Sequence, residues 1–391
     1  MRQADIEIAK EKFGKLIEGE ANRIVRMKNI NSQLDYNTLD TIVIGVVPGD
    51  GIGPIIMEQT LRVLRALIEK SLASGKVKLR MIPGLSIEER ATALQHMPPE
   101  SLIALKECHV ILKGPITTPR PSDPWPALPS TVAQMRRDLE LNISLRPISN
   151  PVKNIDWVMF RENIEGAYIW GSKGIQVDDD LAVDFVVETK SQSLHVAKTA
   201  FEYARRNARK HVTAISKVNI VKLTDGNFLT ACREVAKDYP EIIYDEQLVD
   251  ITASKLDDPE FCKNLEVLIL PNLYGDIISD IAAELSGGVG TAGSAGIGTR
   301  YALFEAVHGS APFLMQNNRG HFANPSSLLK AMGMLLEHIG YSNEAALLKK
   351  AMDICMYTEK KLVVTSFRED ASTEAYTDYI LETLLRLSSI E

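Results

Sequence analysis

The chain has little cysteine and little aromatic carbon: four cysteines, three tryptophans and 6% aromatic residues in 391. Cys108, Cys232, Cys262 and Cys355 are widely spaced and none forms a Cys-x-x-Cys pair. Neither a disulfide framework nor a zinc site is indicated, and a reducing compartment suits the chain. Positive charge is also in deficit: 44 Lys and Arg face 51 Asp and Glu, for a formal net charge of -7. With no clustered basic stripe, a nucleic-acid partner is not expected. No run of about 18 uninterrupted apolar residues occurs, so a membrane span is not expected either. Met1 to about Ile30 is charged throughout and lacks the apolar stretch and cleavage site of a secretory signal, leaving a cytoplasmic location as the default. There is no internal repeat and no low-complexity linker.

What is present is the composition of a folded protein, 45% hydrophobic and 24% charged, enough for one large core or two moderate ones. Ile6, Phe13, Leu16, Ile17, Ile24 and Val25 fall on one side of an N-terminal amphipathic helix, expected to pack on the body of the protein or on a sister subunit. Thr41 to Val47 reads as a buried strand, followed by the turn Pro48-Gly49-Asp50-Gly51-Ile52-Gly53-Pro54 and a helical pattern from Ile55 to Leu72. Further strands are expected at Val77–Ile82, Val110–Leu112, Trp157–Phe160, Val212–Ile215 and Val267–Pro271, with helices between most of them. This alternation is that of an α/β fold. Lys113, Arg161, Lys217 and Asn272 directly follow strands, where open α/β sheets place their ligands.

The turn is Gly-x-Gly-x-Gly, which differs from the Gly-x-Gly-x-x-Gly dinucleotide fingerprint, so a conventional Rossmann site is disfavoured. Taken alone, the turn is as compatible with a structural role as with a ligand site. Asp276 and Asp280 lie four apart at a strand-to-helix junction and project from one face, a spacing at which two carboxylates can hold Mg2+ or Mn2+. Acids at a helix start also simply complement its dipole. Arg136, Arg146 and Arg161 offer planar forks for carboxylates, and His308-Gly309-Ser310-Ala311-Pro312 is either an ordinary loop or part of a site.

In combination and in this order, these segments resemble the isocitrate and 3-isopropylmalate dehydrogenase family. The resemblance runs from about Thr41 to the C-terminus through Pro48–Pro54, Lys113–Pro119, the arginine segment from Ser130 to Pro147, Arg161–Tyr168, Ser216–Asn219, Asn272–Asp280, His308–Pro312 and Asn324-Pro325. It implies a non-Rossmann α/β fold, with a large cofactor-binding domain from 41–141 and 291–391, a smaller central domain from 142–290, and residues 1–40 as an N-terminal helical extension. It further implies a homodimer or higher homo-oligomer with shared active sites.

By the same resemblance, Ser130, Arg136, Arg146 and Arg161 bind the substrate, and Tyr168 and Lys217 are catalytic, with Lys217 as general base and supplied by the partner subunit. Asp276 and Asp280 bind the metal together with an aspartate of the partner, at the position of Asp250. Thr117, Asn219, His308, Gly309, Ser310, Ala311, Pro312 and Asn324 contact the nicotinamide cofactor. The implied activity is NAD-dependent oxidative decarboxylation of isocitrate with Mg2+ or Mn2+.

Two departures widen this expectation. Val132 stands where the isocitrate pattern carries Asn, which points towards 3-isopropylmalate or homoisocitrate as alternative substrates unless Gln134 compensates. Phe313-Leu314 match neither the Asp of NAD-dependent members nor the Lys-Tyr of NADP-dependent ones; absence of a basic clamp favours NAD, while Arg319 or Arg368 could serve NADP from a displaced loop. A noncatalytic regulatory subunit is the alternative of a different class.

Overall fold

A computed structural model of the protein describes residues 3–27, 34–170, 173–288 and 292–389. Among these described residues there are twelve strands: β1 (Ile42–Val47), β2 (Val77–Met81), β3 (Val110–Lys113), β4 (Ile143–Asn150), β5 (Ile155–Glu162), β6 (Ile175–Gln176), β7 (Ala182–Val183), β8 (His211–Ser216), β9 (Ile243–Leu248), β10 (Val267–Leu270), β11 (Gly293–Ile297) and β12 (Ala302–Ala306). Ten of them form one mixed sheet in the order β2-β1-β3-β12-β11-β4-β5-β10-β8-β9. β6 and β7 pair as a separate antiparallel ribbon.

Burial explains the order. β3 and β10 are buried at every position, as strands covered on both faces must be. The edges β2 (VKLRM) and β9 (IYDEQL) carry charge, which suits strands whose outer backbone faces water. β12 lies parallel to β3, so the two ends of the chain share one half of the sheet. β11 runs antiparallel to both β12 and β4 and carries the sheet into the middle of the sequence. The largest apolar core joins Ile44, Leu64 and Leu112 to Phe304, Leu335 and Ile380, while a second unites Phe160, Phe201, Phe228 and Ile269.

Each strand expected from the sequence overlaps an observed one. The helical stretch expected over Ile55–Leu72 begins earlier, at Gly53, and is broken at Ile68 into Gly53–Leu67 and Glu69–Ala73. At the N-terminus a helix runs Gln3–Met27 and packs on the body of its own chain: Phe13 stacks on Phe185, and Leu16 joins the apolar group of Ile164, Ile169 and Trp170. Its inward stripe differs from the one expected. Ile17 and Val25 are exposed, whereas Glu20 is buried and Arg23 is largely so. No helix among the described residues is long and apolar enough to cross a membrane.

Candidate active site

The turn after β1 is tied to both loops that leave the neighbouring strands. The Asp50 carboxylate accepts hydrogen bonds from the amides of Ile87 and Thr117, each at 2.7 Å, and from the Arg90 guanidinium at 3.0 Å. Asp50 and Arg90 are both buried, so this pair is shielded from water. The Asp50 amide donates to the Pro115 carbonyl at 2.7 Å and the Ile52 amide to the Ser310 carbonyl at 3.1 Å. Gly51 has φ +58°, and a Cβ there would lie 2.1 Å from the Ser310 oxygen, so only glycine permits this approach. Thr117 and Ser310, about two hundred positions apart in the chain, consequently meet with their hydroxyls 2.7 Å from one another.

The loop that carries Ser310 holds most of the other residues assigned to a cofactor, Asn219 and Asn324 excepted. The His308 Nδ1 is 3.0 Å from the Gly309 carbonyl, and its buried Nε2 has no partner. Burial lowers the imidazole pKa, favouring the neutral ring. Gly309 and Pro312 are exposed, and Ala311, with φ +46°, precedes the short helix Pro312–Gln316. Asn324 donates to the Val364 carbonyl at 3.2 Å and accepts from the Ser326 amide at 2.9 Å. Arg319 donates to the Ser366 carbonyl and lies over the rings of Phe367 and Phe313, while Arg368 donates to the carbonyls of Asn317 and Asn318.

A second group of side chains converges where β4, β5 and the helix Asn272–Ser286 meet. Arg161, fully buried at the end of β5, donates through Nε and Nη2 to Asn272 Oδ1 at 3.0 and 2.7 Å and through Nη1 to Asp276. Gly275 makes room for it, since a Cβ there would come within 2.6 Å of Arg161 Cγ. Arg146, on β4, donates to Ser279 at 2.5 Å, Asp280 at 3.0 Å and Asp276 at 3.4 Å. The Tyr168 phenol donates to Asp276 at 2.7 Å. Arg136 reaches Glu305 at 3.5 Å, and Lys113 reaches the other oxygen of the same carboxylate at 2.7 Å.

The electrostatics follow from this packing. Burial pushes the Arg161 pKa down to about 10, Asp276 opposes it, and Arg136 and Arg146 add to it. Burial acts to raise Asp276, but Arg161, the Tyr168 phenol and Arg146 outweigh it and hold the carboxyl below its usual range. Glu305 is likewise pulled down to about 2, with burial opposed by Lys113 and Arg136. Burial, then the bond to Asp276, raises Tyr168, which keeps its proton at neutral pH.

Not every expected residue joins these groups. Lys217 and Asp250 pair with each other at 2.7 Å, and the exposed Asn219 lies in the turn after Lys217. Among the described residues of one chain, no group of three or more metal-type ligands converges. Ser130 caps the helix Thr131–Asp138 by accepting from the Ala133 amide at 3.2 Å. Gln134 does not reach towards a missing amide contact: its side chain donates to Asp138 and accepts from Arg137, both within its own helix. Glu305 and Ser279 join the site without any signal in the sequence pattern. Glu305 follows an apolar run, but its opposition to Lys113 depends on β12 and β3 pairing across the chain ends.

The sequence pattern of the isocitrate/isopropylmalate dehydrogenase family matches residues 43–380. The chain belongs to that family. It is an enzyme of the decarboxylating 2-hydroxy-acid dehydrogenase class, whose members generally use NAD(P) and a divalent metal. Among curated relatives, it is 35% identical over 347 residues to a mitochondrial NAD isocitrate dehydrogenase regulatory chain of Dictyostelium discoideum, covering 86% of this chain and 90% of that one. It is 37% identical over 318 residues to the NADP isocitrate dehydrogenase of Rickettsia prowazekii, covering 79% of this chain but only 62% of that longer one. Its fold matches the crystal structure of isocitrate dehydrogenase from Methylococcus capsulatus with a TM-score of 0.77 and 33% identity, over 88% of this chain and 99% of that one.

Proposed function

We propose that this enzyme catalyses NAD-dependent oxidative decarboxylation of isocitrate to 2-oxoglutarate and CO2, with Mg2+ or Mn2+. The observation that carries the reading is the convergence of Arg136, Arg146 and Arg161 around the carboxylates of Asp276, Asp280 and Glu305. With Lys113 this is a site of four cations against three anions. A divalent ion would bring the excess to three positive charges, the complement of a tricarboxylate. Asp276 and Asp280 are hard oxygen donors on one helix face and are part-exposed, a donor set suited to Mg2+ or Mn2+. A third donor is available in Asp250 of a second copy. When bound, the ion supplies Lewis acidity at the hydroxyl and carboxylate oxygens of the substrate.

The residues of this chain account for the rest of the chemistry. Arg136, Arg146 and Arg161 hold the substrate carboxylates through paired hydrogen bonds and fix the orientation of the reacting carbon. Lys217 of a second copy would take the hydroxyl proton, and a bound nicotinamide would supply the hydride-accepting chemistry. Tyr168, protonated at neutral pH, returns a proton to carbon after CO2 departs. Thr117, Ser310 and the unpartnered His308 nitrogen, with Gly309, Ala311, Pro312, Asn324 and Asn219, form the cofactor contacts. Arg319 and Arg368 are already engaged with backbone carbonyls, which favours NAD over a ligand carrying an extra phosphate. In this reading 41–141 with 291–391 and 142–290 act as the two walls of the cleft.

Reduction of nicotinamide at 340 nm tests the proposal, crossing isocitrate, homoisocitrate and 3-isopropylmalate with NAD and NADP, in the presence of Mn2+ and then of chelator. Chelator-sensitive turnover of isocitrate with NAD is the expected result. Turnover of a different acid, or with NADP only, replaces the substrate or cofactor assignment.

A further inference from the structure

The N-terminal helix lies outside residues 43–380 that match the family, yet it supplies a charge to a buried network that ends at Arg161. Ile6, Leu16, Glu20 and Arg23 are among its more covered positions, with the exposed Phe13 stacked on Phe185, so apolar packing gives way to an ion pair at its C-terminal end. Arg23 donates to Glu20 at 2.5 Å and to Glu165. The Glu165 carboxylate has no solvent exposure, and it also accepts from the Thr189 amide at 2.7 Å and hydroxyl at 2.8 Å.

The backbone of Glu165 continues the network. Its carbonyl accepts from Asn272 Nδ2 at 2.9 Å, and Asn272 Oδ1 in turn accepts both bonds from Arg161. The segment from Arg161 to Tyr168 is thus fixed from two sides, by Asn272 and by Arg23. Glu162 lies three residues from Glu165 and is equally buried, and its carboxylate accepts from the amides of Ile164 and Glu165. Two buried acids on one tight segment make it sensitive to loss of the nearby cation.

Resting on the reading of Arg161 as a carboxylate ligand, we propose that Arg23 is a positioning residue for the decarboxylating reaction, acting through Glu165 and Asn272 to set the Arg161 guanidinium. The helix that carries Arg23 is therefore part of the substrate-binding apparatus of this enzyme. It does not touch the substrate. Glu20 lines the cavity of about 730 Å3 between the helix and the body and stays in contact with that space when Arg23 is removed. The Glu165 carboxylate does not line that cavity and is fully buried with Arg23 in place.

The test is a charge-rescue cycle in the full chain. Arg23→Ala is expected to raise the KM for the 2-hydroxy acid about tenfold or more while leaving the cofactor KM unchanged. Adding Glu165→Gln, which removes the buried acid but keeps hydrogen-bonding capacity, is expected to restore most of the loss. Arg23→Lys retains the charge and keeps the test readable if the alanine variant folds poorly. Hydrogen exchange read by mass spectrometry supplies a measure independent of turnover: faster exchange in 161–170 and 272–276 in Arg23→Ala, reversed by Glu165→Gln. An unchanged substrate KM, or a loss that Glu165→Gln does not rescue, overturns the proposal. Arg161→Lys run in parallel tests the underlying reading separately, because an unchanged KM there removes Arg161 from the substrate site whatever the cycle shows.

Discussion

Glu162 is fully buried and Glu305 largely so, yet their surroundings move the two carboxyls in opposite directions, and stability should follow with opposite pH dependence. Lys113 and Arg136 overcome burial at Glu305 and hold it at about 2, below its ordinary 4.5. Its stabilising contribution is therefore full above pH 4.5 and is lost as pH falls towards 2. Burial dominates at Glu162, helped by Glu165, and raises it to about 8. The fold favours its neutral form, so its contribution is full below 4.5 and is lost as pH rises through 8. In thermal melts across pH, Glu305→Gln is expected to flatten the acid limb of the Tm profile, and Glu162→Gln to raise Tm near pH 8 more than near pH 4.5. A uniform offset for either variant would contradict the assigned cause.

Among elements, the turn after β1 has the largest reach, because one carboxylate ties down both the helix Ile87–Ala93 and the loop at Thr117. Removing it in Asp50→Ala leaves Arg90 charged and fully buried, and breaking such a pair costs about 3–5 kcal/mol. The same change frees the Thr117 amide, so a fall in Tm should be accompanied by a raised cofactor KM, while the hydroxy-acid KM changes less. Calorimetry and initial rates together check this. The strand, the glycines and Pro54 were readable locally, because a buried strand and a tight turn write themselves in adjacent residues. What the turn holds was not readable, since Ser310 and Thr117 arrive from remote parts of the chain. β9 and β11 escaped for the opposite reason: IYDEQL is a polar edge and GSAGI offers almost no side chain, so neither carries the apolar signature of a strand. The N-terminal helix was legible from its periodicity, but its inward stripe was not, because Glu20 and Arg23 occupy positions where apolar residues would be expected.

At the scale of the whole molecule, the two candidate catalytic side chains occupy different hydrogen-bonded groups: Tyr168 with Asp276, and Lys217 with Asp250. Next to Lys217 and Asp250 the surface exposes Ile220, Leu223, Ile251, Leu273 and Ile277, an apolar patch of the kind that a second subunit covers. If two copies pack there in two-fold fashion, each site draws Tyr168 from one chain and Lys217 from the other. On the proposed roles, Tyr168→Phe removes the proton donor and Lys217→Ala the base, so each variant alone should lose about 10²–10⁴ of kcat. A mixed dimer of the two would have one site with both lesions and one site with neither. Random reassociation makes half the dimers mixed, so mixing two nearly inactive proteins should recover about a quarter of wild-type activity. Sites built within a single chain predict no recovery, because every site would then retain one lesion. Co-expression with two affinity tags, followed by isolation of the doubly tagged species, raises the expected value to about half and separates shared sites from incomplete exchange of subunits.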